Sequence, residues 1–150
     1  MPNKLKQHAV NLLARRDHAK LELANKLKIK GYDHREIDNV LNELIQAGYL
    51  SESRFVENYI RWRCQKGYGP ERIARELASR GITDTMIADL LDFTDNAWLN
   101  EALKVRKKHF KNQIVDDFTE RVKQMRFLKY RGFTNEQIKY VFGGAEELNE

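Results

Sequence analysis

Residues that constrain a backbone hard are scarce in this 150-residue chain, which has one cysteine and two prolines. The lone Cys64 excludes an internal disulfide and fits a reducing compartment. Neither proline falls inside a helix-period segment, so nothing interrupts a helical reading. No apolar run approaches the roughly 20 residues that cross a membrane. The N-terminal stretch MPNKLKQHAV lacks the apolar core of a signal peptide, and the expected location is the cytoplasm. Nucleotide-binding loops are missing too. There is no GK[ST] phosphate loop, and Arg72 stands where the third glycine of a dinucleotide fingerprint starting at Gly67 and Gly69 would fall.

Catalytic and metal-binding patterns fail in the same way. His34-Arg35-Glu36 matches the start of a zinc deaminase signature, but a single cysteine cannot supply its Pro-Cys-x-x-Cys half. His8, His18, His34 and His109 fall on different predicted helices without metal-ligand spacing, so surface or capping roles are expected. Asp116–Asp117 and Glu146–Glu147 are adjacent pairs, whose side chains diverge on a helix. Cys64, on a helix flank beside apolar residues, is expected to be a small buried hydrophobe. No nucleophile, base and oxyanion site can be assembled, so neither an enzyme nor a cofactor is expected.

What the chain does contain is a repeat. Three blocks, KGYDHREI, RGITDTMI and RGFTNEQI, share one spacing. A basic residue precedes a glycine (Gly31, Gly81, Gly132); an apolar residue follows (Tyr32, Ile82, Phe133), then a capping residue (Asp33, Thr83, Thr134) and, four further on, Ile37, Ile87 or Ile138. A glycine just past a helix end accepts the left-handed backbone that stops the helix. Asp or Thr then caps the next helix, Glu36 and Gln137 are placed to close capping boxes, and the flanking apolar pair forms a staple. Each block is therefore a helix–turn–helix joint, and Gly31, Gly81 and Gly132 recur 50 and 51 residues apart.

The spacing predicts helices near 3–14, 18–30 and 34–47, then 52–66, 70–80 and 84–92, then 95–112, 117–131 and 135–142. Pro70 fits a first helical turn, where its missing N–H costs nothing. The expected fold is all-α: three tandem three-helix repeats over 1–50, 51–93 and 94–142, forming an elongated, curved body, with an acidic, frayed tail over 143–150.

Charge is distributed unevenly. Lys104 to Arg131 holds ten basic residues against three acids, which suits a polyanion or an acidic protein surface as partner. In helix 95–112, Leu99, Ala102, Leu103 and Phe110 are expected to be buried, with Lys104, Lys107, Lys108 and Lys111 on the opposite face. A solvated face is the bland account. Four cations with only Glu101 at their edge favour binding instead. Helix 117–131 offers Phe118, Val122, Met125 and Leu128 to the core and Lys123, Arg126, Phe127 and Tyr130 on a second face, where burial of Phe127 and Tyr130 is the expectation. In the middle unit Phe55, Val56, Tyr59 and Trp62 form an apolar stripe, with Arg54, Arg61, Arg72 and Arg75 as further candidate contacts. Lys30, Arg80 and Arg131 close helix C-termini, where the dipole favours a cation. Trp98 starts the third unit and is expected to pack at the junction between units rather than to face solvent.

The stretch GYLSESRFVENYIRWRCQKGYGPERIARELASRGI resembles the signature of the bacterial RecX regulatory proteins. RVKQMRFLKYRGFTNEQI is similar to that family's C-terminal block and RRDHAKLELANKLKIKGY to its N-terminal one, so the likeness spans nearly the whole chain. The motif positions carried over are Lys66, Gly67, Gly69, Pro70, Arg72, Glu76, Leu77 and Gly81. The resemblance implies tandem three-helix repeats and a non-enzymatic, cytoplasmic modulator of the RecA recombinase; a monomer is expected. Such a protein lies along the RecA filament on single-stranded DNA and suppresses ATP hydrolysis, strand exchange and coprotease activity. Because the chain begins close to its first helix, contacts made by an N-terminal extension of longer relatives are expected to be missing. A module that coats nucleic acid directly is the alternative. The lack of a recognition-helix motif and of an exposed aromatic platform favours the filament reading.

Overall fold

The computed structural model describes residues 2–111 and 117–144, and every regular element among them is helical. In order these are α1 (Pro2–Arg15), α2 (Lys20–Ile29), α3 (His34–Gln46), α4 (Glu52–Gln65), α5 (Pro70–Ser79), α6 (Asp84–Leu90), α7 (Ala97–Phe110), α8 (Phe118–Arg131) and α9 (Asn135–Lys139). The last expected helix, 135–142, stops early. A π-helical turn over Tyr140–Gly144 replaces its end, with non-helical backbone at Phe142 and Gly143. The seventh ends at Phe110, and Lys111 has φ 56°. Lys111 therefore follows the helix instead of continuing its lysine face. Asp116, the Glu146–Glu147 pair and the tail from residue 145 lie outside the described residues.

The joints form as their spacing dictates. Gly31, Gly81 and Gly132 all have positive φ. Asp33 accepts from the Arg35 amide, Thr83 from Met86 and Thr134 from Gln137. The reciprocal capping box closes at Thr134, where the Gln137 side chain accepts from the Thr134 amide at 2.9 Å. At Asp33 the cap is the single bond from Arg35, at 3.3 Å. Five of the six staple residues (Ile37, Ile82, Ile87, Phe133 and Ile138) are buried, and Tyr32 is half-buried.

The chain forms two compact units, the first from Met1–Tyr59 and Leu77–Leu90, the second from Ile60–Glu76 and Leu91–Glu150. In the first, α1, α2 and α3 pack around Leu5, Ala9, Leu23, Leu27, Ile37, Val40, Leu41, Leu44 and Leu50. Asp17 ties the start of α4 to this core by accepting from Arg54 and Asn58. His18 departs from its expected surface role and is only 2 % exposed. Its Nδ1 faces the Arg16 carbonyl at 3.0 Å and its Nε2 the Lys26 ammonium at 2.9 Å. That pairing assigns Nδ1–H as donor and leaves Nε2 to accept from Lys26, a pattern only the neutral ring can make. Burial, first of all, pushes its pKa below the ordinary histidine value.

The second unit packs α7, α8 and α9 on one another. Its buried side chains include Ile73, Leu91, Trp98, Ala102, Phe110, Leu128, Phe133, Ile138 and Val141. Trp98 is buried as expected, its indole N–H donating to the Asp92 carbonyl at 3.0 Å. Two expectations for α7 and α8 fail together. Leu103 is 36 % exposed and Phe118 81 %. The reason is a polar contact at the centre of the helix pair. Gln124 is fully buried, accepts from Arg106 Nε at 2.9 Å and donates to Glu120 at 3.1 Å. The covered line of α7 is therefore Trp98–Ala102–Arg106–Phe110, and that of α8 is centred on Gln124 and Leu128. At about 100° per residue, Phe118 and Tyr130 fall roughly 120° to either side of Gln124.

In this same unit the joint before α5 meets the joint after α8 backbone to backbone. The Gly69 amide donates to the Arg131 carbonyl at 2.8 Å and the Glu71 amide to the Gly132 carbonyl at 2.9 Å. A methyl group on Gly69 would lie 2.5 Å from the Gly132 carbonyl carbon and the Phe133 nitrogen. One on Gly132 would lie 2.7 Å from the Arg72 nitrogen. Gly69 needs no left-handed backbone; it is glycine for lack of room.

Three substitutions separate conformation from space. Gly31→Ala meets open surroundings and carries only the left-handed strain, so it should lower stability by about 1 kcal/mol. Gly69→Ala meets only the steric clash, and Gly132→Ala meets both. Each should cost about 1–3 kcal/mol beyond Gly31→Ala in urea titrations. Equal midpoints for the three variants would refute the backbone crossing.

His18 predicts an acid-sensitive first unit. Its folded pKa is depressed, so the unfolded chain takes up the proton first, and stability falls as pH drops from about 6.5 towards the folded value. The slope from one such group is at most about 1.4 kcal/mol per pH unit. His18→Gln should flatten the stability profile between neutral pH and that lower value. An unchanged slope would count against a buried neutral ring.

Candidate functional site

The candidate cations separate once the helices are placed. Arg54 is held by the first unit: its Nε donates to Asp17 at 3.0 Å and its Nη2 to the Gly48 and Tyr49 carbonyls. That side chain links the start of α4 to the end of α3. Arg61 and Arg75 are exposed on α4 and α5. Lys123 and Arg126 are exposed on α8. Arg72 is half-buried, its Nε 3.4 Å from Glu76.

Lys104, Lys107 and Lys108 are exposed on α7, and exposed Lys111 follows them. Lys104 reaches Glu101 at 3.4 Å with its side chain still 74 % exposed, an arrangement that neutralises little charge. Lys104 and Lys108 also line a groove of ≈ 570 Å³ with Lys66, His109, Phe127 and Arg131. The sequence expectation placed four lysines on one face. The structure sets two of them beside cations contributed by the Gly67 and Gly132 joints.

Phe127 is half-buried in this groove, stacked on His109 at 3.9 Å between ring centroids and edge-on to Phe110 at 5.2 Å. Cys64 also lines it, and is half-buried where a buried hydrophobe was expected. Burial, then the Glu101 carboxylate, pushes its thiol up to about 11, so it stays protonated and a poor nucleophile.

Arg131 connects the groove to a second cluster. Its Nη1 donates to the Lys66 carbonyl at 3.1 Å, and its guanidinium lies 5.2 Å from the Phe127 ring and 4.8 Å from Tyr68. Tyr68 is also approached by Arg63 at 3.9 Å and Arg72 at 4.3 Å. Glu76 orders these two arginines, accepting from Arg63 Nε and Nη2 at 2.9 and 2.8 Å while lying near Arg72 Nε. Arg63 continues to Trp62 at 5.3 Å and Arg72 to Tyr130 at 5.2 Å.

The expected burial of Trp62 and Tyr130 is thus corrected: they are 49 % and 72 % exposed. Trp62 lies past Tyr59, in the part of α4 that belongs to the second unit, so the buried stripe of Phe55, Val56 and Tyr59 does not continue to it. Arg63 and Tyr68 were not among the binding candidates. The available signal was a tyrosine between two glycines, the one large side chain inside that joint. The Arg63–Glu76 pairing, 13 residues apart, has no sequence signature.

No helix among the described residues is long and apolar enough to cross a membrane. Family models match the chain in three places: the first three-helix domain of RecX at residues 6–44, the second at 51–91 and the third at 99–142. A regulatory protein RecX of Legionella pneumophila is 44% identical over 134 residues, 89% of each chain. One of Halorhodospira halophila is 40% identical over 142 residues, 95% of this chain and 88% of the relative. The fold matches a crystal structure of RecX from Lactobacillus salivarius with TM-score 0.83 and 22% identity, covering 99% of this chain and 96% of that one. A second crystal structure of a regulatory protein RecX matches at TM-score 0.81 and 20% identity, over 93% of this chain and 72% of that one. With its all-helical architecture and three matched three-helix domains, the chain belongs to the RecX family of regulatory proteins.

Proposed function

We propose that this protein is a negative modulator of the RecA recombinase. It binds the RecA filament on single-stranded DNA in the cytoplasm and inhibits that filament's ATP hydrolysis, strand exchange and coprotease activity. Membership of a family of regulatory proteins supports a regulator rather than an enzyme. The observation that carries the reading further is the lysine face of α7, which continues into a groove lined by Lys66 and Arg131. A filament of protein on DNA is an extended polyanion, and a surface of exposed ammonium groups beside the half-buried carboxylate of Glu101 is complementary to it. The alternative, a module that coats nucleic acid without RecA, gains from the exposed rings of Trp62 and Tyr130. Their exposure removes one argument that disfavoured it.

Replacing Lys104, Lys107, Lys108 and Lys111 with Gln should leave helicity unchanged and raise stability slightly. Removing the i,i+4 repulsion of Lys104 and Lys108 is worth a few tenths of a kcal/mol, roughly. Inhibition of RecA-driven ATP hydrolysis should weaken, and the loss should shrink as salt rises and screening removes the same contribution from the parent protein. Where a lysine contacts phosphate, the slope of log affinity against log salt should flatten by about 0.7 per contact on a single strand. A folded quadruple variant that inhibits RecA like the parent would remove this face from the mechanism.

A further inference from the structure

Ile29 is 85 % exposed, more than any other large apolar side chain among the described residues. Its position on α2 explains this. Leu23 and Leu27 are buried, and at about 100° per residue Ile29 falls roughly 200° past Leu27, away from the core. Lys28 and Lys30 flank it, both exposed, and Gly31 ends the helix immediately after. The end of α2 is thus an apolar knob between two ammonium groups. A single exposed isoleucine is ordinary on a folded surface, and lysines are favoured at a helix C-terminus, so neither alone demands a partner. A recess of matching chemistry elsewhere on the chain supplies one.

That recess lies in the second unit, where the loop before α7 meets α9 and the turn after it. Its volume is ≈ 550 Å³, with Phe93, Leu99 and Tyr140 as apolar lining. Asp95, Glu136 and Lys139 also line it and are exposed, two carboxylates against one ammonium. The loop is held in place by its own bonds. Gln137 donates to the Phe93 carbonyl at 2.9 Å, and Asp92 accepts from the Thr94 amide and hydroxyl at 2.9 and 2.6 Å. A side chain entering the recess therefore meets a preformed wall, and little ordering is required.

The other strongly exposed apolar side chains fit this recess less well. Phe118 stands between Asp117 and Glu120, whose charges would repel the carboxylates. Tyr130 lies between cations, but Lys129 is bonded to Glu71 and Arg131 to the Lys66 carbonyl. We infer that the end of α2 in one copy of this chain docks into the recess of a second copy, Ile29 against Phe93, Leu99 and Tyr140, with Lys28 and Lys30 facing Asp95 and Glu136. Knob and recess are different surfaces, so each docked copy still offers one of them and the contact can repeat head to tail. One apolar side chain and two exposed ion pairs make a weak contact, well below the size of a stable dimer interface. Copies held side by side on a common lattice would experience it at a far higher effective concentration than free copies do.

The test uses the full chain alone. Sedimentation equilibrium should give a mass near 17.7 kDa at micromolar concentration and a rising average mass towards millimolar, with the rise reduced by salt. Ile29→Gln should weaken association about tenfold, the lower end of what re-exposing a buried isoleucine costs, and Ile29→Leu should retain it. Glu136→Lys should weaken it too, by setting an ammonium against Lys28 and Lys30. Both positions are exposed, so helicity by circular dichroism should stay at the parent level. The mixture of the two variants separates this contact from any symmetric one. Ile29→Gln keeps its recess and Glu136→Lys keeps its knob, so together they should form a one-to-one dimer and nothing larger. A mass that stays at 17.7 kDa up to millimolar concentration would overturn the inference, as would a mixture that does not associate. Association lost in Glu136→Lys but unchanged in Ile29→Gln would assign the recess to another segment and refute the knob. RecA and DNA are absent from these measurements, so their outcome is separate from the filament reading.

Discussion

The second unit depends on a contact that no side chain makes. Gly69 and Gly132 let two joints meet at backbone distance, where the Gly69 and Glu71 amides donate to the Arg131 and Gly132 carbonyls. Those carbonyls end α8, and would otherwise need other partners. Glu71 follows Pro70 in the first turn of α5, where amides lack helical partners of their own. One pair of hydrogen bonds thus satisfies the end of one helix with the start of another. Glycine is required on both sides because a Cβ on either would collide with backbone, which cannot rotate away as a side chain can.

The consequences reach the charged surface. Fixing α5 against the end of α8 brings Arg72 beside Tyr130 and Arg131 beside Tyr68, residues about 60 apart in sequence. Lys129 reaches Glu71 across the same meeting point at 3.1 Å. Arg131 was legible as a cation at a helix C-terminus, a role the dipole explains alone. Its further bond to the Lys66 carbonyl places it between the groove and the cluster around Tyr68. Joint glycines and candidate binding residues are therefore not separate classes here. The joints position the cations, and a clash at Gly132 would displace Arg72 directly.

Most of the fold was legible, because its instructions are local. A glycine past a helix end, a cap two residues on and an isoleucine four beyond that form a pattern within one turn of chain, and Gly31, Gly81 and Gly132 each obey it. What the sequence concealed was long-range. Hydrophobic periodicity placed the core face of α8 by its apolar residues, but the centre of that face is Gln124. A buried amide is tolerated because Arg106 and Glu120 satisfy it, and α7 must contribute an arginine to its own covered line to do so. Phe118 and Tyr130, counted as core by composition, are turned outward by that choice. His18 was misplaced for the same reason: its partners, Lys26 and the Arg16 carbonyl, were invisible until the chain folded.

The site divides along the same line. The lysines of α7 could be assigned to one exposed face from helical spacing, since nothing but the helix positions them. The cluster around Tyr68 could not, because Arg63–Glu76 and Arg72–Tyr130 exist only after α4, α5 and α8 come together. The two surfaces also differ in what they can discriminate. Ammonium groups on long, exposed stems read charge density and little else, and their attraction is screened over about 10 Å at moderate salt. Rings backed by ordered guanidiniums read the shape of a ligand at contact distance, where screening matters less. Arg131, lining the groove on one side and touching Tyr68 on the other, joins the two surfaces.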